Sequence, residues 1–150
     1  MIGRLRRMSW ANRGVLAEAV CALAAMPVLV RVFGVRSLHD TVVRSTSARM
    51  HSGGSADATA STRVREIASL VVSAARRAPG DHTCLHRSLA LWWMLRRRGF
   101  DGRLRMGVRK GDTAFEAHAW VEYAGEVVND DLDVERRYEP LPWQPAGRDA

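Results

Sequence analysis

Lysine is almost missing from this chain of 150 residues, although its net charge is +7. Of the 23 basic residues only Lys110 is a lysine, and such one-sided use of arginine indicates a compositional bias. No basic stretch carries the interleaved aromatic residues that stack on single-stranded nucleic acid. We therefore expect no nucleic-acid partner, and a basic face for an acidic peptide or protein partner is the better-supported alternative.

Cysteine is also scarce, with only Cys21 and Cys84 present and no CxxC pair. Two such cysteines build no disulfide framework, which favours a reducing compartment, and we expect a cytoplasmic protein. Cys21 lies in an apolar helical stretch without chemical partners, so we expect it to be a small buried residue.

Long hydrophobic runs are lacking too. The apolar stretch 19–30 is too short to span a bilayer, and Glu18 and Arg31 bracket it. The basic start of the chain is similar to a signal peptide, but no small-residue cleavage pattern follows the apolar stretch. The sequence therefore predicts no transmembrane segment, and a buried or surface-lying helix in its place.

Residue periodicity divides the chain into three parts, and the apolar fraction of 47% suffices for a real core. We predict an N-terminal helical region (1–50), a small and polar flexible linker or loop (51–61), and a core domain (62–150).

Two helices are predicted in the N-terminal region. Ser9 or Asn12 is the expected cap of the first, and Pro27 is expected to kink or end it. The second is expected over residues 37–50.

Two further helices, over 62–78 and 84–98, are predicted ahead of a sheet. Asp81 or Thr83 is the expected cap of the second. Its end, with Arg96–Arg98 and then a left-handed Gly99, predicts a solvated helix terminus.

Beyond Gly99 the period falls to two, which predicts strands over 103–108, 117–123 and 126–130 and then an irregular, proline-rich tail. Helices followed by antiparallel strands predict an α+β domain, with the helix that begins at Cys84 packed on an antiparallel sheet.

Three residues in this arrangement suit nucleophilic catalysis. Cys84 begins a helix, where unpaired N–H groups and the helix dipole favour a thiolate. His118 and Asp130 lie on strand-like runs, and they suit an imidazole base and a carboxylate that orients it. We therefore predict a cysteine hydrolase with Cys84, His118 and Asp130 as its catalytic residues.

The turn between the last two strands decides which carboxylate faces His118. A two-residue turn would need a positive φ at Ala124, which alanine resists, so we predict a three-residue loop that pairs Glu122 with Glu126. His118 then lies directly opposite Asp130, with Cβ atoms roughly 5 Å apart.

A register shift of one residue would bring Asp131 to that position instead. Trp120 shares the His118 face by strand alternation. If the Cys84 helix packs on that face, Trp120 lies beneath the site, where it either shields the Cys84–His118 ion pair from water or, as we expect, fills the core.

A metal site is an alternative for the residues around Cys84. His82 and His86 flank it, but their two-residue spacing suits a strand and spreads them around a helix, so we expect no metal and no cofactor. His82 could instead border an oxyanion pocket beside the Cys84 N–H group. Ser88, one turn further on, is expected only to face a neighbouring turn.

Together these motifs resemble a known family. The segments concerned are Cys84–Leu91, Leu95–Phe100, Leu104–Val108, Ala117–Glu122 and Asn129–Asp130. They are similar to the lasso-peptide leader peptidases, a transglutaminase-like branch of the papain-type cysteine proteases, over about residues 62–135.

The resemblance implies a transglutaminase-like core and a defined reaction. Cys84 would attack the peptide bond between the leader and the core of a ribosomally made precursor peptide. His118 would act as general base and acid, and Asp130 would orient it.

The resemblance also implies partners. The N-terminal third lacks the strand-rich pattern of a leader-gripping domain, which implies a separate leader-binding protein. The freed core peptide would pass to an ATP-dependent, asparagine-synthetase-like cyclase that closes a macrolactam.

Two other functions stay open at the level of sequence. An acyltransferase would use the same Cys84 thioester with an amine acceptor. A non-catalytic scaffold would only present the precursor to the cyclase, although an intact Cys84, His118 and Asp130 set argues against it.

Overall fold

The computed structural model describes residues 9–50, 58–78, 80, 82–111 and 114–141. The helices of these residues are α1 (Trp10–Met50), α2 (Ala58–Ala75), α3 (Cys84–Arg97) and α4 (Val134–Arg137). The strands are β1 (Arg103–Lys110), β2 (Phe115–Tyr123), β3 (Glu126–Val127) and β4 (Glu139–Pro140). They form one antiparallel sheet in the order β3-β2-β1-β4. The predicted α+β fold is confirmed.

Helix α1 begins where the sequence predicts and breaks where it does not. Ser9 provides the cap, since its Oγ accepts from the N–H of Asn12 at 3.3 Å. Pro27 stays inside the helix, and the break falls at Gly34, whose φ of 73° and ψ of 158° are not helical. Glycine has no Cβ and adopts this positive φ at little cost, which explains why the break lies at Gly34. The predicted break at Pro27 is wrong.

Several other boundaries differ from the prediction. Helix α2 begins at Ala58, so the last four residues of the predicted linker 51–61 are helical, while 51–57 lie outside the described residues. The tail expected to be irregular contains α4 and β4. Pro142, Pro145 and the proposed cap Asp81 lie outside the described residues.

A single core joins the N-terminal helices to the rest of the chain. Its members come from α1, α2, α3 and one face of the sheet, and representative residues with no exposed surface are Leu23, Ile67, Leu91 and Val121. Helix α1 therefore shares its buried side chains with the predicted core domain (62–150).

The outward side of α1 is apolar as well. An 18-residue window of this helix has a mean hydropathy of 2.0 and is 28% buried, so by length and composition alone it could cross a membrane. That result contradicts the expectation that the apolar stretch of this helix is too short to span a bilayer. The inward side, however, packs as a core helix does, with Ala19, Leu23 and Met26 at most 4% exposed.

Four exposed apolar residues form what we call the outer α1 surface: Val20, Val28, Val32 and Phe33. Cys21 is exposed on the same helix, so the expectation that it is buried is wrong.

The arginines at the end of α3 were predicted to be solvated, but they contact α1. Arg97 and Arg98 both pair with Glu18 of α1, the former at 3.2 Å. The Nε of Arg96 donates to Thr46 Oγ1 at 3.1 Å, and burial lowers the pKa of this guanidinium. This end of α3 therefore contacts α1 on both sides of the break at Gly34.

Candidate active site

The structure brings His118 and Asp130 into direct contact. Nε2 of His118 lies 2.7 Å from Oδ2 of Asp130, and the two side chains are 19% and 21% exposed. Asp131 points elsewhere: its side chain is 77% exposed and pairs with Arg137 at 3.1 Å. In the tautomer with the ring proton on Nε2, this N–H group donates to the carboxylate and Nδ1 is the acceptor nitrogen of the ring.

The hairpin that carries this pair does not have the predicted register. Tyr123 pairs with Glu126 and Glu122 with Val127, so the loop has two residues rather than three. Ala124 adopts the positive φ, 52°, that we expected alanine to resist.

Asp130 reaches His118 because the chain leaves the strand early. Strand β3 ends at Val127, although a strand was predicted over 126–130. The N–H of Val128 still donates to Val121 O at 3.0 Å, and then the Oδ1 of Asn129 accepts from Val121 N at 2.8 Å. The Asn129 side chain thus takes the place of the backbone carbonyl that would accept from Val121 N if β3 continued. The predicted pairing of His118 with Asp130 occurs, but not through the predicted register.

Cys84 is the first residue of α3 and is partly exposed. Thr83 is the N-cap, and its Oγ1 accepts from the N–H of His86 at 3.4 Å. A threonine cap satisfies one of the free amide groups of the first turn and holds the start of the helix in place.

The second turn of α3 is bonded to the strand that carries His118. Ser88 has no exposed surface, and its Oγ donates to Ala119 O at 2.9 Å. Cys84 and Ser88 are four residues apart and lie on one helix face, with Cβ atoms about 5–6 Å apart. The start of α3 is therefore directed to the edge of β2 beside His118. The prediction that Ser88 only faces a neighbouring turn is wrong.

The helix and the aromatic cluster occupy opposite faces of the sheet. Helix α3 packs in the main core with Val121, whereas Trp120, Val134 and Tyr138 form a separate small cluster. The Cys84 helix therefore does not pack on the His118 face, so the condition for placing Trp120 beneath the site is not met. Trp120 is nevertheless next to His118, with ring centroids 6.4 Å apart. Trp120 is 1% exposed and fills the small cluster, as expected of a core residue.

Tyr138 is a wall of the site that the sequence analysis missed. Its ring stacks on His118 with centroids 4.9 Å apart. A Cβ on Gly107, which pairs with His118 across the sheet, would lie 2.9 Å from the Cβ of Tyr138, so a glycine is needed there. The i, i+4 spacing of Val134 and Tyr138 was the available signal for a helical turn.

A pair of carboxyl groups lies next to this wall. Burial of Glu122 raises its pKa, but hydrogen bonds from Glu135, Arg105 and Trp120 outweigh burial and hold the pKa below its usual value. The pKa of Glu135 in α4 is raised, chiefly by its hydrogen bond to Glu122. When Glu135 is protonated, its hydroxyl donates to Glu122 and so links α4 to β2.

The two histidines beside Cys84 have different surroundings. Both ring nitrogens of His82 are buried, without a hydrogen-bond partner among the described residues. Burial, and then the proximity of His82, lower the pKa of His86, whose Nδ1 lies 3.2 Å from Thr83 Oγ1. Within the described ranges, no three histidine, cysteine, aspartate or glutamate side chains are grouped to hold a metal ion.

An apolar cavity of about 460 Å³ lies away from this site, between α1 and α3. Cys21, Met26 and Trp93 are among its lining residues, whereas Cys84, His118 and Asp130 are not. A molecule bound in this cavity would therefore not contact Cys84, His118 or Asp130 directly.

The sequence pattern of the Transglutaminase-like superfamily matches residues 22–142. The chain belongs to this superfamily. Its members are typically cysteine proteases or transglutaminases, and the fold is that of papain-like cysteine proteases and acyltransferases. No curated protein and no solved structure gives a significant match. The family match includes most of α1, which agrees with the shared core.

Proposed function

We propose that this protein is a cysteine endopeptidase that removes the leader from a ribosomally made, lasso-type precursor peptide. The observation that carries the proposal is the 2.7 Å contact between His118 Nε2 and Asp130 Oδ2, beside a helix that begins with Cys84. The family match supports cysteine chemistry, and the motif resemblance supports the choice of substrate.

In this proposal, His118 Nδ1 takes the proton of the Cys84 thiol, and Sγ attacks the carbonyl carbon at the leader–core junction. The tetrahedral intermediate collapses as His118 gives that proton to the leaving amine of the core peptide. The leader remains as a thioester on Cys84 until water, deprotonated by His118, releases it. Asp130 keeps the proton on Nε2 and stabilises the imidazolium in both steps.

The substrate is delivered, in this proposal, by a separate leader-binding protein that docks on the outer α1 surface. Val28 and Val32 on that surface are one helical turn apart and therefore neighbours, with exposed fractions of 61% and 65%. Adjacent exposed apolar side chains of this kind are typical of interaction sites. The product would be used by an ATP-dependent, asparagine-synthetase-like cyclase, and the reactions are cytoplasmic.

The test is to incubate the protein with a candidate precursor and the leader-binding protein, with an added primary amine, and to measure product masses. A peptidase yields free leader and free core. An acyltransferase yields a leader–amine adduct, and a scaffold yields neither product; both outcomes contradict the proposal. Cys84→Ala is the matched control, and release of core by that variant would also contradict it.

A further inference from the structure

We infer that Ser88 and Asn129 are positioning residues, which hold the Cys84 helix, the His118 strand and the Asp130 segment in fixed relative positions through a partly buried hydrogen-bond bridge. This inference rests on the proposed peptidase function and deepens it. Neither side chain contacts the reacting atoms in the mechanism above.

The bridge consists of three neutral hydrogen bonds. Ser88 Oγ donates to Ala119 O at 2.9 Å and accepts from Asn129 Nδ2 at 2.9 Å. Asn129 Oδ1 accepts from Val121 N at 2.8 Å. Ser88 Oγ both donates and accepts, and Asn129 uses both its amide oxygen and its amide nitrogen, in a site where Ser88 is fully buried.

The bridge occupies a gap in the sheet. Strand β3 has only two residues, so it pairs with the end of β2, and no other strand of the described residues covers the edge near Ala119 and Val121. Backbone groups at a buried edge need partners, and Ser88 and Asn129 supply them. The gap thus lets the start of α3 reach the edge where His118 lies.

Each bonded residue is close in sequence to a proposed catalytic residue. Ser88 is one turn after Cys84, Ala119 follows His118, and Asn129 precedes Asp130. A shift of any one element therefore moves a reacting group. A misplacement of about 1 Å lowers a rate by up to roughly 100-fold, because attack needs near-contact geometry.

Ser88→Ala and Asn129→Leu are the direct tests, with Thr46→Val as the matched control. Thr46 is 2% exposed, and its hydroxyl donates to Val42 O at 2.7 Å and accepts from Arg96 Nε at 3.1 Å. Its loss therefore removes polar contacts of comparable burial at the opposite end of α3 from the bridge. We expect the two bridge variants to lower kcat for precursor cleavage roughly 10- to 100-fold, with KM within about twofold of wild type. Thr46→Val should lower Tm without this loss of kcat.

The two losses should not add, since each variant breaks the same bridge. The double variant should therefore have a kcat close to that of the worse single variant. A kcat of Ser88→Ala equal to that of Thr46→Val would overturn the inference, as would fully additive losses.

A second readout separates failure of the inference from failure of the proposed function. The ¹⁵N NMR signals of the His118 ring report its contact with Asp130 without any substrate. We expect them to shift in both bridge variants and not in Thr46→Val; unchanged signals would overturn the inference even if no precursor is ever cleaved. Should Asn129→Leu fail to fold, Asn129→Asp keeps the acceptor for Val121 N and loses only the donor to Ser88, and the same shift is expected.

Discussion

The two ends of helix α3 are held by different kinds of polar contact. At the C-terminal end, Arg97 and Arg98 form ion pairs with Glu18, whose side chain is 23% exposed. At the N-terminal end, the fully buried Ser88 is held by neutral hydrogen bonds to β2 and to Asn129. Partly exposed ion pairs tolerate movement and contribute little stability each, whereas buried networks fix geometry. The C-terminal end therefore fixes α3 to α1. The N-terminal end fixes α3 to the segments that carry the proposed catalytic residues.

The largest expected effect is at the N-terminal end. Cys84→Ala should abolish precursor cleavage and leave Tm close to that of wild type, because it removes the nucleophile from a partly exposed position. Kinetics and thermal unfolding measure the two effects. Cys21→Ala is the control, because Cys21 is an exposed cysteine of the same chain and should be silent. Near-normal cleavage by Cys84→Ala would refute the cysteine mechanism.

The two neighbouring aspartates sharpen the comparison. Asp130→Asn should lower kcat by up to ~10⁴-fold, since loss of the orienting carboxylate leaves the imidazole in the wrong tautomer. Asp131→Asn should have little effect, because that side chain is 77% exposed and pairs with Arg137 rather than with His118. Steady-state kinetics of both variants provide the check. A greater loss in Asp131→Asn would mean that His118 uses the other carboxylate.

The outer α1 surface should matter only when the partner is present. Delivery by a partner raises the local precursor concentration to about the millimolar range, so cleavage should accelerate chiefly at low substrate. Val28→Ser with Val32→Ser should remove that acceleration, whereas Phe115→Ser, another exposed apolar position, should not. Equal kcat/KM with and without the partner would refute delivery. Binding of lipid vesicles in place of the partner would reassign the surface.

The C-terminal end of α3 should affect stability alone. Glu18→Gln removes the ion pairs with Arg97 and Arg98 and should cost about 1 kcal/mol, with kcat unchanged. Glu66→Gln, which breaks the more exposed Arg63 pair, is the control and should cost less. Thermal unfolding measures both. A fall in kcat in Glu18→Gln would show that the two ends are coupled.

The smallest effect concerns pH. The raised pKa of Glu135 means that its proton stabilises the contact with Glu122 below the usual glutamate pKa, and this stabilisation is lost as pH rises through the raised value. The lowered pKa of Glu122 acts in the opposite direction, with stability lost as pH falls through it. Glu135→Gln keeps a donor without a titrating group, so its Tm should exceed that of wild type at neutral pH. An unchanged Tm difference from pH 4 to pH 8 would contradict this.

Local chemistry made much of this structure predictable. The helix start at Cys84, its Thr83 cap, and the alternation that places Trp120 on the His118 face all follow from short-range rules. The α+β order of elements follows from the same periodicities.

What could not be predicted depends on contacts between distant segments. The positive φ of Ala124 is tolerated because the hairpin is fixed elsewhere, by the Asn129 contact with Val121. The early end of β3 and the burial of Ser88 likewise depend on how α3 meets the sheet. No local propensity encodes such contacts.

The most direct measurement is to trap the covalent intermediate. Wild-type protein is mixed with precursor and partner, quenched in acid within the first turnover, digested, and analysed by mass spectrometry. Our account predicts the leader acyl group on the peptide that contains Cys84, and its absence when His118 is replaced by alanine. Cleavage without any adduct on Cys84, or an adduct on Cys21, would contradict it.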